Sequence, residues 1–134
     1  ENYRIPGDQI HVTINGINTR QFSPGPPDPA LKQELGLGDG PVVVLVSRLD
    51  ESRALAAKRL IEIAQTFQGS ANVELLLVGG GDREAQLRTL AQEINSVCGR
   101  TVVHMTGPRT DVAKTVLSLA TLYLWGSAVP LWKP

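Results

Sequence analysis

A chain of 134 residues fits one domain with a real core, at roughly 100–200 residues per domain. Thirteen basic and thirteen acidic residues cancel, so no global field draws the protein to nucleic acid or an anionic membrane, and an anion site has to be local. The single cysteine, Cys98, excludes an internal disulfide framework and a cysteine-built zinc site and suits a reducing, cytoplasmic setting, while the apolar runs fall short of the ~18 residues of a membrane span.

Residues 9–14, QIHVTI, alternate polar and apolar side chains and run into Asn15-Gly16, which predicts a short strand and a tight turn. Residues 22–29, FSPGPPDP, are too rich in proline for a helix or a central strand and read as a loop. Residues 30–40, ALKQELGLGDG, fit a turn or two of helix stopped by Gly36.

Residues 42–46, VVVLV, are apolar on both faces, as expected of a strand covered on both sides in a parallel sheet. Ala57, Leu60, Ile61, Ala64 and Phe67 then recur at helical spacing. The unit repeats: residues 73–78 are followed by Leu87, Leu90, Ala91 and Ile94, and residues 101–105 by Val112, Val116, Leu119 and Ala120. Residues 122–125, LYLW, begin a fourth strand. This alternation predicts an α/β fold, a Rossmann-like open parallel sheet with helices on both faces.

In such sheets ligands bind beyond the carboxyl ends of the strands. Those ends carry Ser47-Arg48, Gly79-Gly80-Gly81-Asp82, Thr106-Gly107-Pro108-Arg109 and Gly126. Glycines there permit close backbone approach, and free N–H groups at the next helix start favour phosphate. Arg48, with Arg53 at the following helix start, can clamp a diphosphate through planar, bidentate donors. A second reading stands beside it, in which Arg48 pairs with Asp50 or Glu51 and Arg53 is solvated.

Other features read as structural. VGGGD lacks the spacing of a dinucleotide fingerprint and the Lys-Ser/Thr of a P-loop, so it is a strand-to-helix turn with Asp82 as N-cap. His11 and His104 lie in strand patterns without a carboxylate at metal-ligand spacing, so no metal site is expected. Cys98 ends a helical face as a small apolar filler, and Trp125 and Trp132 pack.

From about Asp8 to Leu124 the chain resembles the donor-binding half of a GT-B glycosyltransferase of the retaining family 4, also called group 1. DQIHVTINGINTRQFSP is similar to that family's strand, Asn-Gly turn and Phe-x-Pro. VVLVSRLDESRAL resembles its Gly-Arg-Leu-x-x-x-Lys-Gly stretch, VELLLVGGGDREAQL its Gly-rich second strand, and VVHMTGPRTDVAKTVLSLATLYL its third strand, loop and helix. The resemblance implies that residues 1–134 are one partial donor-nucleotide-binding domain, with a leading strand, turn and loop over residues 1–35 and βα repeats over residues 36–134. It implies sugar transfer from a nucleotide-diphosphate sugar to an unknown saccharide or lipid-linked acceptor, with no cofactor or essential metal. Arg48 and Arg53 would hold the donor diphosphate, with Arg53 in place of the family's lysine. Ser47, Gly79, Gly80 and Gly81 would line the donor crevice, and Thr106, Gly107 and Pro108 would face the base. The pattern is broken where Ser47 and Ala54 replace glycines. WGSAVPLWKP, moreover, has no glutamate where the family carries Glu-x7-Glu. A partial chain, inactive by itself, is the resulting expectation, with a non-catalytic nucleotide-binding or interaction module as the alternative. The apolar run LYLWGSAVPLW further suggests a homodimer through an uncovered sheet face.

Overall fold

In the computed structural model, the described residues are 6–20, 22–23, 25–69, 72–112 and 116–124. They form a four-stranded, all-parallel sheet in the order β3-β2-β1-β4, with β1 at Val42–Val46, β2 at Glu74–Val78, β3 at Val103–Met105 and β4 at Leu122–Leu124. The predicted α/β fold is present, and β1 spans the predicted residues.

Helix α1 (Pro29–Glu34) starts where the proline loop ends. Asp28 caps it by accepting from the N–H groups of Ala30 and Leu31 at 2.9 and 3.3 Å, and the proline at the first helical position forfeits no bond. Gly36 stops it at φ 67, a left-handed value that glycine adopts without steric penalty. Helices α2 (Ala54–Ala64) and α3 (Glu84–Cys98) follow β1 and β2 and carry their apolar residues on one stripe. A short α4 (Leu117–Leu119) precedes β4.

Strand pleating sends alternate residues to opposite faces. Val43, Leu45, Leu75, Leu77 and Val103 pack against Ala57, Ile61 and Ala64 of α2 and Leu87, Ala91 and Ile94 of α3. Val42, Val44, Leu76 and Val78 face the other way, against Val116, with Leu35, Leu37, Val112 and Ala120 around them. Each face is therefore covered, which accounts for strands without polar alternation.

The second face also buries two polar side chains, Glu74 and His104. The His104 Nδ1–H donates to the Leu35 carbonyl oxygen at 3.1 Å, and Glu74 Oε2 accepts from the Gly38 N–H at 2.8 Å. Both tie the segment after α1 to the sheet, so His104 has the structural role expected of it. Cys98 packs at the border of the α2 and α3 core.

The expected strand over residues 9–14 does not form. Ile10, Val12 and Ile14 are 55, 87 and 93% exposed, and no other described strand pairs with the segment. Alternation prepares a segment for a sheet but does not supply the neighbour that satisfies its backbone. His11 is exposed accordingly. The turn falls beyond Asn15-Gly16, where the Phe22 N–H reaches the Asn18 carbonyl oxygen at 2.9 Å. Asp82 is not the N-cap of α3; that position belongs to Arg83, which makes no side-chain capping bond.

Strand β4 lies at one sheet edge with Leu122 and Tyr123 about half exposed. The remainder of the expected pairing surface, with Trp125, Gly126 and Trp132, lies outside the described residues.

Among the described residues strand β3 forms the opposite edge, where Val102 and Val103 have backbone groups that no described strand meets. Asn95 of α3 meets them: its Oδ1 accepts from the N–H groups of Val102 and Val103 at 2.8 and 2.9 Å, and its Nδ2 donates to the Val103 carbonyl at 2.9 Å. One carboxamide thus replaces the peptide of a missing neighbour and closes the edge to further strands.

Candidate functional site at the carboxyl edge

The loops after the first three strands converge on one cleft of about 580 Å³. Strand β1 contributes Ser47 and Arg48, with Arg53 just beyond; β2 contributes Gly79, Gly80, Gly81 and Glu84; β3 contributes Pro108 and Arg109. Ser47, both arginines, the three glycines and Pro108, all expected from the sequence, lie together here. Thr106 instead lines an adjoining groove of about 470 Å³ that shares Arg109 with the cleft. Gly107 sits at φ 76 and gives its carbonyl oxygen to the Gly79 N–H at 3.0 Å.

Backbone hydrogen bonds continue beyond the strands into these loops. Ser47 N–H donates to the Val78 carbonyl, Leu49 N–H to Gly80 and Arg83 N–H to Leu49, each at 3.0 Å. At two glycines this contact leaves no room for a side chain. A Cβ on Gly79 (φ 141) would lie 1.8 Å from the Ser47 carbonyl oxygen, and one on Gly81 would lie 2.5 Å from the Leu49 carbonyl carbon. Gly80 faces Pro108 and Glu84, with Glu84 Oε2 3.2 Å from where its Cβ would be.

Asp50 organises both cleft arginines. Its Oδ1 accepts from the Ser52 hydroxyl at 2.6 Å and from the Arg53 N–H at 3.2 Å, and its Oδ2 lies 3.3 Å from Arg48 Nε. The Ser52 hydrogen bond, helped by the Arg48 charge and the Arg53 N–H, holds the Asp50 carboxyl below its ordinary value against partial desolvation. The ion-pair reading thus describes Arg48, and Arg53 is exposed as that reading expected. Glu51 pairs elsewhere, with Arg83 at 3.2 Å. Engagement through Nε leaves the Arg48 Nη groups without a partner among the described residues, so this ion pair and an anion can share the guanidinium.

Sequence reasoning placed Arg109 at this edge without giving it a role and passed over Glu84. Arg109 grips Asp111 with two bonds of 2.7 Å and Glu34 of α1 with a third of 2.7 Å, and these carboxylates push its pKa up, so it is permanently charged. Glu34 is remote in sequence, so no local pattern signals the pair. Glu84, in the first turn of α3, accepts from Arg88 Nη2 at 2.8 Å. Its i,i+4 spacing to Arg88 was readable, but its place in the cleft was not. Among the described residues no group of three or more His, Cys, Asp and Glu could hold a metal ion, and no helix is long and apolar enough to cross a membrane.

No protein-family model matches the chain. Over 127 residues it is 28% identical to the alpha-maltose-1-phosphate synthase of Mycolicibacterium smegmatis, an alignment covering 87% of this chain and 31% of that protein. The fold matches a glycosyltransferase from Rickettsia africae with a TM-score of 0.64 at 19% identity, covering 97% of this chain and 35% of that one. Sucrose-phosphate synthase from Thermosynechococcus elongatus matches at 0.52 and 29% identity, covering 81% of this chain and 27% of that one. The chain shares the α/β, Rossmann-like fold of the GT-B glycosyltransferases it matches. Anabaena HepE, crystallised in complex with UDP-glucose, matches this fold with a TM-score of 0.61 at 22% identity, over 87% of this chain and 31% of HepE. The chain spans about a third of the length of the relatives it matches. These relatives support a glycosyltransferase-like domain and do not favour the non-catalytic alternative.

Proposed function

We propose that this chain is the nucleotide-sugar-binding part of a retaining glycosyltransferase of family 4, acting in the cytoplasm on a saccharide or lipid-linked acceptor. The observation that carries the proposal is the convergence of Arg48, Arg53 and the Gly79–Gly81 turn on one cleft at the carboxyl edge of a parallel sheet. HepE, of the same fold, is a UDP-glucose-binding protein in its crystal structure, which supports a ligand of this class.

The chemistry follows from charge. When the bond between sugar and diphosphate breaks, negative charge builds on the departing phosphate oxygens. Arg48 and Arg53, donating through planar guanidinium groups, stabilise that charge more than the ground state and lower the barrier to departure. No cofactor or metal is needed in this scheme, because the arginines carry the compensating charge. Pro108, in the cleft, and Gly107 beside it would face the base, while Thr106 lines the adjoining groove.

Calorimetric titration of the 134-residue chain with UDP tests the proposal. Binding that weakens with added salt, and about tenfold on Arg48→Ala or Arg53→Ala, is the expected outcome, since surface-accessible charge pairs are screened and tenfold is about 1.4 kcal/mol. Equal binding by the wild type and both variants, or no binding at millimolar UDP, would refute it.

A further inference from the structure

The cleft holds an acidic group where a purely phosphate-binding surface would have none. Glu84 lines the same cavity as Arg48 and Arg53, its side chain only 26% exposed. Arg88 takes its Oε1, while Oε2 has no hydrogen-bond partner among the described residues and lies against Gly80. An ionised carboxylate accepts hydrogen bonds and repels phosphate oxygens. Two arginines at the end of β1 and a carboxylate at the start of α3 therefore divide the cleft into an anion-favouring and a donor-favouring part.

From this division, and resting on the diphosphate reading above, we infer that Glu84 is a specificity-determining residue: its carboxylate accepts a hydrogen bond from an N–H or O–H of the nucleoside and orients the ligand with its phosphates toward Arg48 and Arg53. Gly80 is part of the device. A side chain there would meet both Pro108 Cδ at 3.1 Å and Glu84 Oε2 at 3.2 Å, and so would fill the space between carboxylate and ligand. The Arg88 pair fixes one oxygen and leaves the other beside Gly80 of the cleft. Glu84 is a positioning group with no covalent step of its own.

The test compares UDP with inorganic pyrophosphate, which has the phosphates and lacks the nucleoside. In the 134-residue chain, Glu84→Gln should weaken UDP about tenfold, the scale of one hydrogen bond to a charged group, and leave pyrophosphate unchanged or tighter. Arg88→Gln, which frees the carboxylate but keeps it, should retain most of the UDP affinity, and thermal melting of both variants checks that they fold. If 2′,3′-dideoxy-UDP removes the Glu84→Gln penalty, the donor is the ribose; if the penalty persists, it is the base; both outcomes support the inference. UDP affinity untouched by Glu84→Gln, or UDP and pyrophosphate weakened alike, would overturn it. Insensitivity of both ligands to Arg48→Ala would instead refute the diphosphate reading, so the two failures are distinct.

Discussion

Replacing Asn95 by alanine removes three hydrogen bonds that hold β3 at its open edge. Val102 and Val103 are 0 and 3% exposed, so their two N–H groups and one carbonyl would lose their partners where water has little access. Each buried unsatisfied group costs about 1–3 kcal/mol. Water entering over the truncated, half-buried side chain recovers part of that, which leaves an expected loss of about 2–4 kcal/mol and a fall in Tm of roughly 10 °C for a chain of this length. Urea unfolding followed by circular dichroism measures it: the midpoint should fall at constant m-value, because the same surface is exposed on unfolding. Asn95→Asp keeps the acceptor for both N–H groups and loses only the donor, so it should sit between wild type and alanine. A loss below about 0.5 kcal/mol for Asn95→Ala, the range of an ordinary surface change, would refute the account of the edge.

Gly79→Ala should cost about 3 kcal/mol or more, since the position combines φ 141 with a Cβ contact of 1.8 Å to backbone, whereas Gly16→Ala, with nothing within 4 Å, should stay within about 0.5 kcal/mol; the same urea titrations compare them. Asp50 has a depressed pKa in the folded chain, so its contribution to stability is complete above the ordinary value of 3.8 and is lost as pH falls through the folded value; Asp50→Asn should flatten the acid limb of a Tm-versus-pH curve below about pH 4 and leave its shape near neutrality unchanged.

The repeating core was legible because a fully buried parallel strand has a composition that little else has. VVVLV and ELLLV name themselves, and the helical stripes after them can only face the sheet. The carboxyl-edge residues were legible for the same reason, since topology alone brings strand ends together. Residues 9–14 misled because alternation is a property of one segment and pairing is a property of two. Glu84 and Asn95 escaped notice and Arg109 was placed at the edge without a role, since these roles depend on partners in space: Arg109 bonds Glu34 across 75 positions, and Asn95 answers a vacancy in the sheet order. Not legible was the close neighbour that Gly79 and Gly81 accommodate, the Ser47–Asp50 backbone.

The hydrogen-bond ladder that runs past β1 and β2 into the cleft loops makes the site mechanically part of the sheet. Ser47, Leu49, Gly79 and Arg83 cannot open singly, because each N–H is held by a carbonyl of a neighbouring segment. A ligand bound as proposed would meet a backbone already held by these bonds. In the proposed diphosphate binding, the ordering entropy would fall on the long side chains of Arg48 and Arg53, about 0.5–1.5 kcal/mol for each one immobilised, and not on the loops that carry them. Such a surface acts as a fixed cradle with two movable fingers, and shortening or stiffening a finger alters how firmly the cradle grips without reshaping it.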